Sequence, residues 1–325
     1  MKALFSLSLM VGALLSTAAQ AEVRLLTSIQ PLQLIAAAVQ DGVGEPDVLL
    51  PSGASAHRYA LRPSDVQRIR KAELFYWVGP DLETFLPRVL EGRDGPVVAL
   101  QELPGLSLRH FGDAHGHETE AHDEHHDEHD EHDEHMDEVA LDEHDHDHRP
   151  GRLDAHLWLL PANARVIAQR MAADLVARDA GNAERYRANL AAFERRLQAL
   201  DAQLQARMAK VADRPFFVFH EAYDYFEAAY GLRHAGVFAI GGETQPGARH
   251  VAAMRERLER AGPSCVFSEP PLRPRLAETL TDGLPARLAE LDVMGAGLSG
   301  PQGYEQLLQR LADNLAGCLE SLPAQ

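Results

Sequence analysis

A histidine-rich segment between Arg109 and Arg149 contains twelve histidines and seventeen carboxylates, with no lysine or arginine among them. Neutral imidazole is the commonest protein ligand for zinc, copper and nickel, so the alternation of His with Asp and Glu indicates transition-metal binding. Few apolar residues occur there, and such a segment cannot bury enough surface to fold. We predict a disordered loop over residues 110–148, inserted into a folded protein. Its candidate secondary ligands are His115, His117, His122, His125, His126, His129, His132, His135, His144, His146 and His148.

Three histidines outside this loop lie next to predicted strands or helices. His57 follows the second predicted strand, His156 precedes a long helical stretch, and His220 ends the strand PFFVFH. In open α/β sheets, ligands bind beyond the carboxyl ends of the strands, where side chains distant in sequence converge. Three neutral imidazoles suit Zn²⁺, which takes a tetrahedral set completed by a carboxylate or a water. We therefore predict a three-imidazole zinc site.

The fourth ligand of this site is open. Asp292, at the end of the last predicted strand, is one candidate, and its alternative role is to cap a helix or hold a turn. Glu269, at a strand end before Pro270, is a weaker candidate. We interpret His234 and His250 as structural or surface residues.

Nearly all of the net charge of -18 comes from the histidine-rich segment. Residues 110–148 hold seventeen of the 49 acids, which leaves 32 acids against 31 bases elsewhere. A chain without a basic stripe is a poor partner for nucleic acid. The sequence lacks a G-x-S-x-G elbow, an H-E-x-x-H helix and a Walker loop, so we predict no catalytic residues.

The first 21 residues are typical of a secretory signal. Lys2 supplies a basic start, an apolar run follows over residues 3–15, and Ala19-Gln20-Ala21 fits the rule for cleavage after Ala21. The apolar run is short for a membrane span. In an oxidising compartment Cys265 and Cys318 are expected to pair, the alternative being two free thiols in the core.

Short apolar runs alternate with helical stretches along the remaining chain, which predicts an α/β protein. Two consecutive helical stretches, at 162–178 and 183–211, predict a spine between two lobes. The predicted fold is two lobes, each a mostly parallel four-stranded sheet flanked by helices, joined by a long rigid helix. The boundaries are a signal peptide at 1–21, an N-terminal lobe at 22–160, a linker helix at 161–180 and a C-terminal lobe at 181–325.

Four stretches resemble the zinc-specific periplasmic substrate-binding proteins of bacterial ABC importers, the metal-binding cluster A-I group. They are GASAHRYALRPSD at 53–65, LDAHLWLLPANA at 153–164, FHEAYDYFEAAYGL at 219–232 and SCVFSEPPLRP at 264–274. The resemblance covers essentially all of the chain after the signal, and it implies the two-lobed fold predicted above.

The resemblance implies that the family's first three metal ligands fall on His57, His156 and His220, with a carboxylate near Asp292. Manganese-binding relatives place a carboxylate at the position of His220, so zinc is favoured here. Some zinc-binding members place a glutamate just before the first histidine, where this chain has Ala56. The resemblance also implies a disulfide between Cys265 and Cys318, and a loop that captures or senses metal.

The function expected from this resemblance is high-affinity binding of Zn²⁺ in the periplasm, followed by delivery to an ABC importer. The partners would be its membrane permease and ATPase and a periplasmic metallochaperone, and the protein would be a monomer that coordinates metal without catalysis. Two alternatives remain open. One is a zinc-dependent hydrolase using the three histidines, and the other is a metal buffer or adhesin acting through the loop.

Overall fold

The computed structural model describes residues 22–111, 151–238, 247–269 and 275–323. The predicted signal peptide and the eleven candidate ligands of the histidine-rich segment lie outside these residues. No helix among the described residues has both the length and the apolar character that a membrane crossing requires.

The first half of the chain forms a parallel four-stranded sheet in the order β2-β1-β3-β4. The third strand is buried along its whole length, as its apolar sequence LFYW predicts for a strand covered on both faces. The strands are β1 Leu25–Thr27, β2 Asp47–Val48, β3 Leu74–Trp77 and β4 Val97–Ala99. The helices of this half are α1 Gln30–Gln40, α2 Pro63–Lys71 and α3 Pro87–Leu90.

Two long helices follow, α4 Pro161–Arg178 and α5 Ala183–Met208. The first begins with Pro161, whose fixed φ and missing N–H are tolerated in the first turn of a helix. The second packs against α1 and α4 and also contacts the C-terminal helix α9, Gly303–Glu320. α5 therefore touches elements from both halves of the chain.

The second half forms a parallel three-stranded sheet in the order β5-β6-β7. The sequence predicts a fourth strand in this half, over the apolar run HAGVFAI at residues 234–240. Among the described residues it is present only as one parallel bridge, between Val218 and Val237. The strands are β5 Phe216–Val218, β6 Ser264–Ser268 and β7 Ala286–Glu290. The remaining helices are α6 Asp224–Tyr230, α7 Ala248–Ala261 and α8 Arg275–Thr281.

A single main hydrophobic core includes buried side chains from both sheets, among them Phe75 and Phe216. The predicted disulfide is confirmed: Cys265 on β6 is bonded to Cys318 on α9. This bond ties the C-terminal helix to the centre of the second sheet. The α/β architecture with parallel sheets, flanking helices and a long helix agrees with the prediction from sequence.

Candidate metal centre

The loops that follow the two sheets bring His57, His156 and His220 together. His57 lies in the loop after β2, and His220 lies two residues beyond the end of β5. His156 immediately precedes a short 3-10 helix, Leu157–Leu159, which leads into α4. Each imidazole therefore projects from a segment anchored on a regular element.

The three rings form a compact triangle. Their centroids are 5.6 Å apart for His57 and His156, 5.3 Å for His57 and His220, and 5.0 Å for His156 and His220. One ligand nitrogen from each ring lies within 4.8 Å of the other two. Zinc binds imidazole nitrogen at about 2.0–2.1 Å, which in a tetrahedral site separates the nitrogens by roughly 3.4 Å. A small inward movement would complete the geometry.

Burial keeps two of these rings in the neutral form that a metal requires. His57 is 7% exposed and His156 is 2% exposed. The pKa of His156 is lowered to about 3, mainly by burial and then by the charge of the neighbouring His220. Burial also lowers the pKa of His57 well below its usual value, with the charges of His220 and His156 acting in the same direction. Neutral imidazoles are ready to bind a cation without first losing protons.

Two carboxylates orient two of the rings. Asp154 Oδ1 lies 2.7 Å from Nδ1 of His156 and also accepts the backbone N–H of His156. Glu269 Oε1 lies 2.9 Å from Nδ1 of His220. Such carboxylate–imidazole pairs fix the ring orientation and leave Nε2 available for a metal.

The two carboxylates differ in their electrostatic environment. Burial raises the pKa of Asp154 to about 7. Burial also raises that of Glu269, but the charge of His220 and its hydrogen bond lower it more, so the net pKa of Glu269 falls below its usual value. Glu269 is therefore the more readily ionised partner in this centre.

Aromatic side chains hold the same region in place. The hydroxyl of Tyr223 lies 3.4 Å from Glu269 Oε1 and donates to the carbonyl of Leu291. The ring of Trp158 packs 5.4 Å from that of His156, and its Nε1–H donates to the carbonyl of Val293. The segment after β7 is thereby fastened to both halves of the site.

Asp292 lies in this segment, but its carboxylate is hydrogen-bonded to the backbone of the following turn. Its Oδ1 accepts the backbone N–H groups of Met294 and Gly295, and its Oδ2 accepts that of Ala296. Asp292 is not part of the ligand group formed by the three histidines among the described residues. The structure thus gives it the turn role, and ligation by Asp292 stays a prediction.

Two other histidines, His234 and His250, lie outside the three-histidine group among the described residues. His234, expected to be structural or on the surface, is 3% exposed and belongs to a second potential ligand group with Glu221 and Asp224. The Nε2 of His250 lies 3.1 Å from the carbonyl oxygen of Val237. Within the histidine-rich segment, His110 is described and forms an antiparallel bridge with Leu153.

The sequence analysis missed Asp154 and proposed Glu269 only as a ligand. A signal for Asp154 was present, since it stands two residues before His156 in the D-x-H arrangement that lets a carboxylate reach the adjacent ring. Glu269 and His220 are 49 positions apart, so no local sequence pattern predicts that the two side chains pair.

Comparisons with known proteins agree with this architecture. A family model described as ZnuA, zinc-uptake complex component A, periplasmic, matches residues 25–318. The high-affinity zinc uptake system protein ZnuA of Brucella abortus is 38% identical over 304 residues, which is 90% of each chain. The protein of the same description from Yersinia pestis is 36% identical over 302 residues, which is 92% of each chain. The crystal structure of a zinc-bound ZnuA deletion mutant superposes with a TM-score of 0.73 at 20% identity, covering 94% of this chain and all of that one, so the fold is shared.

Proposed function

Because this chain belongs to the ZnuA family of periplasmic zinc-uptake components, we propose that it binds Zn²⁺ with high affinity and delivers it to an ABC importer. The observation that carries this proposal is the convergence of three imidazoles with one ligand nitrogen each within 4.8 Å. Zinc is the cargo, and the chemistry is reversible coordination.

His57, His156 and His220 are the proposed protein ligands. A water molecule is the better candidate for the fourth position, because three backbone N–H groups already hold the carboxylate of Asp292. To move toward the metal, Asp292 would have to weaken those hydrogen bonds, and each of them contributes about 1 kcal/mol or more when the acceptor is charged. An open or water-filled position also gives the ion a route of departure.

A binding role is better supported than a hydrolytic one. In a hydrolytic zinc site, a general base lies within reach of the metal-bound water. Here the two carboxylates paired with the site, Asp154 and Glu269, are hydrogen-bonded to imidazoles of the proposed ligands. We therefore propose that the protein is not an enzyme.

The proposed location is the periplasm, reached by cleavage of the signal peptide after Ala21 so that the mature chain begins at Glu22. The proposed partners are the membrane permease and the ATPase of the importer and a periplasmic metallochaperone, and the proposed state is a monomer. The lobes are assigned to residues 22–160 and 181–325, with the helix at 161–180 between them. The loop at 110–148 would supply additional, weaker zinc sites.

Growth of the host bacterium under zinc limitation tests this function. Deletion of the gene should stop growth in chelator-treated medium, and added zinc should restore it. A plasmid copy of the wild-type gene should also restore growth, whereas a His156→Ala copy should not, and His250→Ala serves as the matched control. Normal growth of the deletion strain in chelated medium would contradict import and favour a buffering or adhesive role. Hydrolysis of ester or phosphate substrates by the zinc-loaded protein above background would favour the enzyme.

A further inference from the structure

A second group of potential metal ligands lies beside α6 and shares no residue with the three-histidine centre. Glu221, Asp224 and His234 each offer one ligand atom, and these atoms all lie within 4.8 Å of one another. Asp224 is the first residue of α6, and His234 lies in the segment after the helix ends. The turn of the chain around this short helix is what brings the three side chains together.

The carboxylate of Asp224 is poorly satisfied in this position. Asp224 is 3% exposed, and its Oδ1 has no hydrogen-bond partner among the described residues. This oxygen lies 4.0 Å from Nδ1 of His234, beyond hydrogen-bond distance. A buried carboxylate oxygen without a partner carries the full cost of its lost hydration. A cation between the three side chains would remove that cost.

The imidazole of His234 is already fixed in orientation. Its Nδ1 lies 2.8 Å from Oε1 of Glu227, and its backbone N–H donates to Oε2 of the same carboxylate. A carboxylate that holds a buried imidazole is the arrangement that supports metal-binding histidines in proteins. The same arrangement serves His156 and His220 in the first centre.

The local charge also favours a cation. The pKa of Asp224 is raised to about 7, mainly by burial and then by Asp154 and Glu227, with His234 and Arg109 acting in the opposite direction. Several carboxylates thus face one another in a poorly solvated space, with Arg109 and His234 as the opposing charges. Although burial lowers it, Glu227, Asp224 and Glu221 raise the pKa of His234 above its usual value, so a metal ion would take the place of the imidazolium proton. Such a cluster concentrates divalent cations.

We propose that Glu221, Asp224 and His234 form a second site for a divalent transition-metal ion, separate from the three-histidine centre. One imidazole and two carboxylates are ordinary ligands of Zn²⁺. Its affinity should be lower than that of the first centre, because Glu221 directly follows His220 and a second ion so close would be repelled by the first. The two ions would then load in order, the three-histidine centre first.

Anomalous X-ray diffraction from crystals of the full chain soaked in zinc chloride tests the site directly. Data collected on both sides of the zinc absorption edge should show one peak among the three histidines and a second peak between Glu221, Asp224 and His234. A filled first centre with no second peak at millimolar zinc would overturn the proposal. The two peaks test two different proposals. Absence of the peak among the three histidines would count against the proposed function, whereas the peak between Glu221, Asp224 and His234 alone decides the second site.

A pair of matched variants extends the test to solution. Asp224→Asn should abolish the second peak and remove one weak equivalent of zinc in calorimetry, while the first centre keeps its peak. Glu305→Gln is the control, because Glu305 is also a largely buried carboxylate but is paired with Arg196 away from the group. Retention of the second peak in Asp224→Asn would contradict the assignment. If that variant does not fold, the anomalous map of the wild-type protein decides alone.

Discussion

Nδ1 of His156 lies 2.7 Å from Oδ1 of Asp154, and both side chains are almost completely withdrawn from solvent. His220 is held in the same way by Glu269. These two contacts determine which nitrogen of each ring is left for a metal, and they hold the rings before any ion arrives. Preorganisation of this kind lowers the entropy lost on binding.

The two orienting carboxylates can be tested by isosteric substitution. Asp154→Asn and Glu269→Gln should each weaken zinc binding by about 10–100-fold, the usual effect of removing a partner of a metal-binding histidine. Stoichiometry at the tight site should remain one in competition titrations with a zinc chelator. Asp174→Asn is the control, since the carboxylate of Asp174 on α4 accepts hydrogen bonds from Tyr76 on β3 and from Arg170 on α4. Unchanged affinity in both carboxylate variants would show that the rings are held by other contacts.

Removal of a proposed ligand should have a larger effect. His57→Ala, His156→Ala and His220→Ala should each lower zinc affinity by more than about 100-fold, because the loss of a ligand exceeds the loss of its partner. Isothermal titration with a competing chelator measures this, and His250→Ala should behave as wild type. If all three variants bound zinc as tightly as the wild type, the three-imidazole centre would be the wrong site.

The pH dependence of zinc binding should come from Asp154. Burial raises the pKa of Asp154 to about 7, whereas His57 and His156 have lowered pKa values and carry no proton to release near neutrality. A zinc ion on His156 favours the ionised carboxylate that accepts Nδ1–H, so binding below about pH 7 displaces a proton. Affinity should therefore fall as pH decreases below 7, by at most about tenfold per pH unit.

Calorimetry in buffers of different ionisation enthalpy counts the released protons. The wild type should release close to one proton at about pH 6, where the raised carboxyl is protonated in the metal-free state. Asp154→Asn should release much less, because the amide cannot ionise. Equal proton release from the two proteins would assign the pH dependence to another group.

The histidine-rich segment can be removed without stretching the scaffold. The residues that flank it are already bonded to each other, since Gly151 donates its N–H to the carbonyl of Phe111 and Phe111 donates to that of Arg152. Deletion of residues 112–148 should lower the number of weakly bound zinc ions and leave one tight site. Loss of all zinc binding, measured by metal analysis after dialysis, would make the loop the primary site.

The disulfide should contribute stability without touching the metal centre. Cys265 and Cys318 are 53 residues apart, and on the chain-entropy model closing a loop of that size contributes ~4 kcal/mol to the free energy of unfolding. The double variant Cys265→Ser, Cys318→Ser should lose a stability of this order in urea denaturation. Its tight zinc affinity should stay within about threefold of the wild type, because neither cysteine contacts the three histidines. A double variant of unchanged stability would contradict the prediction.

The α/β class, the disulfide and the approximate bounds of α4 could all be predicted from the sequence. Apolar runs such as LFYW and the alanine-rich stretch at 161–178 carry local signals, which survive in the folded chain because packing reinforces them. The strand expected over HAGVFAI is the exception among the described residues. A short apolar run specifies burial but not pairing, and pairing depends on the neighbouring strand.

Residue chemistry, position next to the predicted elements and the family resemblance together were enough to single out His57, His156 and His220 from the sequence. The tertiary structure alone decided the partners of those rings and the role of Asp292. Glu269 reaches His220 only because β5 and β6 are adjacent parallel strands whose carboxyl ends meet at one edge of the sheet. Asp292 lies at the end of the same sheet, but its carboxylate already accepts hydrogen bonds from three backbone N–H groups. The type of ligand is a property of the side chain, whereas its availability depends on which hydrogen bonds the fold has already formed.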